Sequence, residues 1–134
     1  MKTKKSGFTL IELLVAVSIV VMLSAISMTS YRAAQKKARD GKRKSDLEQI
    51  RAALEMYRSD DDEGLYPADI GTLVAGDYLA DTPVDPKEYT YYYNPAVGNL
   101  TYELCAYLET GGTGDYGANC GTAPANCNYQ LTNP

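Results

Sequence analysis

The sequence predicts an α+β protein in which a long N-terminal helix packs its second half on a small antiparallel sheet. Three observations lead to this prediction. Residues Phe8–Ile26 are almost all apolar, the following stretch is amphipathic with a helical period, and the last third contains short runs of alternating apolar residues. A chain of 134 residues has room for one modest domain with an extension.

The apolar run predicts a membrane-spanning first half of the helix. At ~1.5 Å per residue its length is roughly 28 Å, close to the ~30 Å apolar thickness of a bilayer. Downstream, four apolar residues recur at spacings of three and four and so share one helix face: Leu47, Ile50, Leu54 and Tyr57. We predict one helix from about Thr9 to about Arg58, weakest at residues 40–45, where Gly41 disfavours helix and no apolar face exists.

The head, residues 59–134, is expected to begin where the acidic run 59–64 ends the helix. A short helix is predicted within Pro67–Leu79, with Asp69 as its N-cap and with Ile70, Leu73 and Val74 facing inward. Strands are predicted at 89–94 and 100–109, joined by a hairpin loop at 95–99, with a last short strand at 128–132. Alternation in the second strand places five residues on its inner side: Leu100, Tyr102, Leu104, Ala106 and Leu108.

Charge is divided unevenly along the chain. Residues 32–44, which we call the basic band, carry seven basic residues against Asp40 alone, whereas from Ser59 onward 12 acids face the single base Lys87. Such asymmetry favours self-association or a charged surface partner, and the acidic head would repel nucleic acid. The basic band is interpreted as an electrostatic belt between subunits or, equally well, as a solvated helix face touching lipid headgroups. Binding of extracellular DNA is a distant third interpretation.

Catalysis is not expected from this composition. The chain has no His, so no Ser–His or Cys–His nucleophile can form, and no Gly-rich phosphate loop follows a strand. The three Cys lack the spacing of a zinc site. The protein is therefore predicted not to be an enzyme and to need no cofactor, apart from the calcium considered below.

The N-terminus carries the most specific motif of the sequence. After the basic heptad MKTKKSG, residues 7–16 read GFTLIELLVA, and here the chain resembles the type IV prepilin family, which shares this signal with the pseudopilins of type II secretion systems. The resemblance implies a pilin-like fold and cleavage between Gly7 and Phe8 by a prepilin peptidase, which then N-methylates Phe8. Glu12 would then be the fifth residue of the mature chain, where the family carries its glutamate. Because a lone carboxylate is costly in a membrane, we expect Glu12 to pair with the new amine of Phe8 on a neighbouring subunit.

The resulting organisation has four parts: a cleaved leader at 1–7, a transmembrane and filament-core helix at 8–30, its amphipathic continuation at 31–58, and the head at 59–134. The expected partners are further copies of this or related pilin subunits, the prepilin peptidase, an assembly platform, and the cytoplasmic membrane before assembly. The chain would cross that membrane once with its C-terminus outside. It would then enter an extracellular or periplasmic filament. One feature disagrees with this orientation. The basic band lies on the side that would be translocated, whereas basic residues next to a membrane span favour the cytoplasmic side.

Three functions remain open at this point. The first is a structural subunit of a type IV pilus or related filament; the residues 38–57, 66–67 and 85–86 also resemble small pilins and major pseudopilins. The second is the major pseudopilin of a type II secretion system, which drives export. The third is a monomeric secreted binding protein with an ordinary signal peptide cleaved near Ala25–Ser27.

The three Cys all lie in the last third of the chain and suggest an oxidising compartment. Pairing of Cys120 with Cys127 is narrowly preferred, and a bond from Cys105 to either of them is the alternative. Resemblance to major pseudopilins further implies calcium in the C-terminal loop, where the hard oxygen donors are Glu109, Asp115 and Asn119.

Overall fold

The computed structural model describes residues 7–87, 89–117, 120 and 126–133. Its elements are α1 (Leu10–Asp60), α2 (Gly71–Ala75), β1 (Tyr92–Pro95), β2 (Tyr102–Ala106) and β3 (Tyr129–Thr132). The strands form one antiparallel sheet in the order β1-β2-β3. The predicted fold class, α+β with a long N-terminal helix and a small antiparallel sheet, is confirmed.

The chain forms two compact units that divide within α1, between Gln35 and Lys36. In the first unit every described side chain is exposed, including the large apolar ones. Helix α1 is the one described helix that is long and apolar enough to cross a membrane, and the 18-residue window that meets this test is 0% buried.

The second unit is organised by the predicted helical stripe. Leu47, Ile50 and Leu54 are fully buried and pack in one core with the inner face of the sheet. In register across that face, Leu104 of β2 lies opposite Tyr93 of β1 and Leu131 of β3. Burying an aliphatic side chain stabilises a fold by about 1.5–3 kcal/mol, so this face fixes the sheet on the helix.

Several predicted details are corrected. The strands are shorter than predicted, and β1 begins at Tyr92 instead of residue 89. Leu100 precedes β2 in the turn and is 58% exposed, so its predicted inward position is wrong. The turn residue Asn99 adopts a positive φ of 53° and its carbonyl accepts a hydrogen bond from the backbone N–H of Tyr66. That bond keeps the turn on the helix–head junction and carries Leu100 outward.

The short helix α2 is confirmed as an element but spans fewer residues than predicted. Asp69 Oδ1 accepts a hydrogen bond from the backbone N–H of Thr72 at 3.1 Å, so it satisfies one free donor of the first turn, although Ile70 occupies the cap position. Leu73 is fully buried as expected, while Ile70 and Val74 are only partly buried.

Candidate functional site

The predicted processing junction lies in non-helical backbone just before α1. Gly7, Phe8 and Thr9 are exposed, Phe8 by 90%, and the space around Gly7 is open. Residues 1–6, which include the basic leader residues Lys2, Lys4 and Lys5, lie outside the described residues. A peptidase could therefore reach the Gly7–Phe8 bond without unfolding a helix, while cleavage and N-methylation themselves stay predictions.

Glu12 closes the first turn of α1 through Thr9. Its Oε2 accepts hydrogen bonds from the Thr9 backbone N–H at 2.9 Å and the Thr9 hydroxyl at 2.7 Å, while the Glu12 N–H donates to Thr9 Oγ1 at 3.3 Å. This reciprocal arrangement is a capping box, whose sequence signal is the spacing Thr-x-x-Glu. Thr9 is thus a residue that the sequence-based prediction of the site left out. Among the described contacts, Glu12 Oε1 accepts none.

The hydroxyl groups of the apolar segment are satisfied within the helix. Ser18, Ser24 and Ser27 each donate to the carbonyl four residues earlier, at 2.7, 2.8 and 2.9 Å. The surface of this segment is apolar all round. Its 14 large apolar side chains are between 49% and 90% exposed: Phe8, Leu10, Ile11, Leu13, Leu14, Val15, Val17, Ile19, Val20, Val21, Met22, Leu23, Ile26 and Met28. Such a surface suits lipid or a bundle of like helices, and it is unfavourable in water.

The second unit contains a buried ion cluster centred on Arg43, whose side chain is fully buried. The guanidinium binds Asp85 through two hydrogen bonds, Nε to Oδ2 at 2.5 Å and a terminal nitrogen to Oδ1 at 3.1 Å. Its other terminal nitrogen donates to Asp40 at 2.8 Å and to Glu109 at 3.1 Å. The Tyr89 ring lies 5.2 Å from the guanidinium carbon. One arginine therefore joins helix α1 to two loops of the head.

Asp40 and Glu109 complete this cluster. Asp40 accepts hydrogen bonds from the backbone N–H groups of Glu109 and Thr110 at 2.9 and 2.8 Å and from the Thr110 hydroxyl at 2.6 Å. Glu109 is held by Arg39 at 2.6 and 2.8 Å and by Lys87 at 3.2 Å. Each carboxylate in the buried centre is thus matched by donors, as a stable buried ion pair requires.

The pKa values follow from these contacts. Hydrogen bonds from Arg39, which outweigh the effect of burial, lower the pKa of the Glu109 carboxyl to about 2. For Asp40 and Asp85 burial is the largest single influence and raises the pKa, but several hydrogen bonds together outweigh it, led by Thr110 for Asp40 and by Arg43 for Asp85, so the pKa of each carboxyl lies below its ordinary range. The three carboxylates are ionised at neutral pH.

This cluster changes the interpretation of the basic band. Arg39 and Arg43 are occupied by acids of the same chain, so the band is neither wholly solvated nor wholly free for a partner. Helix α1 is continuous through residues 40–45 because Asp40 and Arg43 replace an apolar face there with buried ion pairs. Lys44 lies over the Tyr129 ring at 5.1 Å.

The candidate calcium ligands do not converge in the part of the chain that the structure describes. Within that part no group of three His, Cys, Asp or Glu side chains is placed to hold a metal ion. Glu109 is engaged by three cations, and Asp115 accepts bonds from Gly117 N–H and the Asn126 amide. Asn119 lies outside the described residues. Calcium binding therefore stays an untested prediction.

The cysteines form one buried cluster on the outer face of β2. Cys120 and Cys127 are joined in a disulfide with their Cα atoms 5.3 Å apart, and Cys105 is a free thiol that is 1% exposed. Burial raises the pKa of the Cys105 thiol to about 11. The disulfide thus covers β2 without using the strand cysteine.

Comparison with known proteins identifies a family motif in the N-terminal segment. Residues 2–28 match the family model described as the prokaryotic N-terminal methylation motif, which is the type IV prepilin-type signature. No curated protein and no solved structure matches the chain significantly. The chain therefore carries the N-terminal signature of type IV prepilins, and that signature marks a structural, prepilin-type protein.

Proposed function

We propose that this chain is a structural subunit of a type IV pilus or a related filament. A prepilin peptidase removes residues 1–7, methylates Phe8, and leaves the subunit in the cytoplasmic membrane with its C-terminus outside. An assembly platform then stacks the apolar helices into a filament core. The observation that carries the proposal is the match of residues 2–28 to the methylation motif on a helix whose apolar surface is exposed all round.

The geometry at Glu12 supports a switch by proteolysis. Thr9 occupies Oε2 of the carboxylate, which leaves Oε1 with no partner among the described contacts. Cleavage before Phe8 creates an amine, and a charge-assisted pair between that amine and Glu12 of a neighbour would satisfy both groups in an apolar bundle. The capping box survives this cleavage because Thr9 lies beyond the bond that is cut. The pair would set the register of assembly more than it adds stability.

Assignment to a pilus in preference to a secretion pseudopilus is the finer part of the proposal. It is supported by the engagement of Glu109 with Arg39, Arg43 and Lys87, which takes one candidate donor away from calcium. A calcium-dependent rise in the melting temperature of the head would instead favour the pseudopilin alternative. Loss of protein export without loss of sheared surface filaments, on deletion of the gene, would favour it as well.

The proposal is tested by mass analysis of the mature full-length protein together with a Glu12→Ala variant. We expect the mature chain to begin at methylated Phe8. We expect Glu12→Ala to be processed normally but to yield few filaments in the sheared fraction. Ser18→Ala is the matched control, because its hydroxyl bonds only to its own helix. A mature chain beginning at Met1 or near residue 28 would overturn the proposed processing. Normal assembly of Glu12→Ala would overturn the proposed pairing of Glu12 with Phe8.

A further inference from the structure

Two lysines of the basic band, unlike Lys42 and Lys44, make neither an ion pair nor a ring contact among the described residues. Lys36 and Lys37 stand at the start of the second unit, and both are exposed. Among the described residues neither takes part in an ion pair, in contrast to Arg39, Lys42 and Arg43. A positive surface therefore remains at this end of the unit. We call Lys36 and Lys37 the basic patch.

The opposite end of the helix carries an uncompensated negative surface. Four consecutive acids, which we call the acidic patch, begin at the last residue of α1: Asp60, Asp61, Asp62 and Glu63. None of them forms an ion pair among the described residues. Asp60 accepts a hydrogen bond from the Tyr78 hydroxyl and Asp61 accepts two from backbone N–H groups. Arg58, the base of the last turn, donates to the Gly64 carbonyl and the Tyr66 hydroxyl.

This placement is electrostatically unfavourable in a single subunit. The C-terminal end of a helix carries a partial negative charge, so clustered carboxylates there repel both the helix dipole and one another. Asp62 and Glu63 are exposed and their side chains make no described contact within the chain. A positive partner would remove this repulsion.

We infer that the acidic patch of one subunit binds the basic patch of a second copy in a head-to-tail contact. The two patches lie 24 residues apart on α1, which corresponds to about 36 Å along the helix. A copy displaced by about that distance along the helix direction brings its lysines onto the acids of its neighbour. The contact uses different surfaces on the two copies, so it propagates and builds a filament instead of closing a dimer.

A second copy explains both patches, which other partners do not. An anionic lipid surface or another phosphate-bearing partner would neutralise Lys36 and Lys37 but would leave Asp62 and Glu63 unpaired. This inference rests on the proposed filament function and specifies the surfaces through which its subunits meet outside the apolar core. Exposed pairs steer and select partners more than they add affinity, so the contact would determine which copies dock and in which register.

The test is charge reversal in the full-length chain, produced in cells in place of the natural gene. Three variants are compared. Two of them change one patch each, K36E/K37E and D62K/E63K, and the third combines all four substitutions. D81K/E103K is the matched control, because it makes the same change in net charge as D62K/E63K at exposed acids of the same unit that lie outside the patch. The readouts are mature N-terminal mass, melting temperature in detergent and filament yield.

Each single-patch variant is expected to lower filament yield by about tenfold, because like charges then face each other, and the combined variant is expected to restore it. D62K/E63K should at the same time raise the melting temperature of the subunit, because lysines suit a helix C-terminus. A loss of filaments through unfolding would give the opposite shift.

Three outcomes would overturn the inference. They are unchanged yield in both single-patch variants, failure of the combined variant to restore yield, and an equal loss in the D81K/E103K control. Loss confined to K36E/K37E, together with weaker flotation of that variant with anionic phospholipid vesicles, would assign the lysines to lipid headgroups instead. Absence of filaments from the wild-type chain, processed at Phe8, would overturn the proposed function itself.

Discussion

Replacement of Arg43 by methionine tests whether the buried ion cluster holds the helix to the head. Methionine keeps the length of the aliphatic stem but leaves the carboxylates of Asp40, Asp85 and Glu109 without their shared cation. Removal of one partner from a buried pair costs about 3–5 kcal/mol, since the remaining charges stay buried. For a unit of this size that corresponds to a fall in melting temperature of at least about 12 °C.

The assay is chemical and thermal unfolding of a fragment that joins the second half of α1 to the head, residues 31–134, in parallel for the wild type and two variants. Arg51→Met is the matched control, because Arg51 is partly exposed and meets Glu48 only at 3.7 Å. Its expected cost is within about 0.5 kcal/mol, as for most surface pairs. Equal costs for the two variants would refute the structural role of the cluster.

The pH dependence gives a second, independent readout for the same variant. In the wild type the folded pKa values of Glu109, Asp40 and Asp85 are lowered, so their stabilising contribution is present above the unfolded values near 4 and is lost as the pH falls toward about 2. Without Arg43 the same carboxylates are penalised while ionised. The difference in unfolding free energy between wild type and Arg43→Met should therefore shrink as the pH is lowered from 7 to 4. A constant difference would contradict this electrostatic origin.

Three further predictions concern the core and the cysteines. Cys127→Ser is expected to lower the unfolding free energy by about 2–3 kcal/mol, measured in urea, because it opens the loop closed with Cys120; an unchanged midpoint would contradict the pairing. Cys105 should react with a thiol reagent only on unfolding, because it is buried and its pKa is raised to about 11, and fast labelling of the native protein would show otherwise. Leu54→Ala should cost about 2–5 kcal/mol by the same urea assay, as expected for a fully buried leucine, and a cost under 1 kcal/mol would place it outside the core.

Much of the candidate site could be predicted from the sequence, because the patterns that indicate it are local. The apolar run, the prepilin motif and the Thr-x-x-Glu spacing each lie within one segment, and neighbouring residues alone determine what they imply. Thr9 could have been found from that spacing, and was not. The positions of Leu100 and of the strand ends were harder to predict, because turn geometry outweighs alternation at the edge of a short strand.

The sequence by itself determined the long helix, its apolar first half, the amphipathic stripe of Leu47, Ile50 and Leu54, and the α+β class. These follow from periodicity and composition, which act over a few residues. Only the tertiary structure decided the partners of the charged residues. Arg43 meets Asp85 42 positions away, and Arg39 meets Glu109 70 positions away, across loops that have no periodic signal. These ion pairs form only where the fold brings residues that are distant in the sequence close together. The packing of the whole head determines those positions.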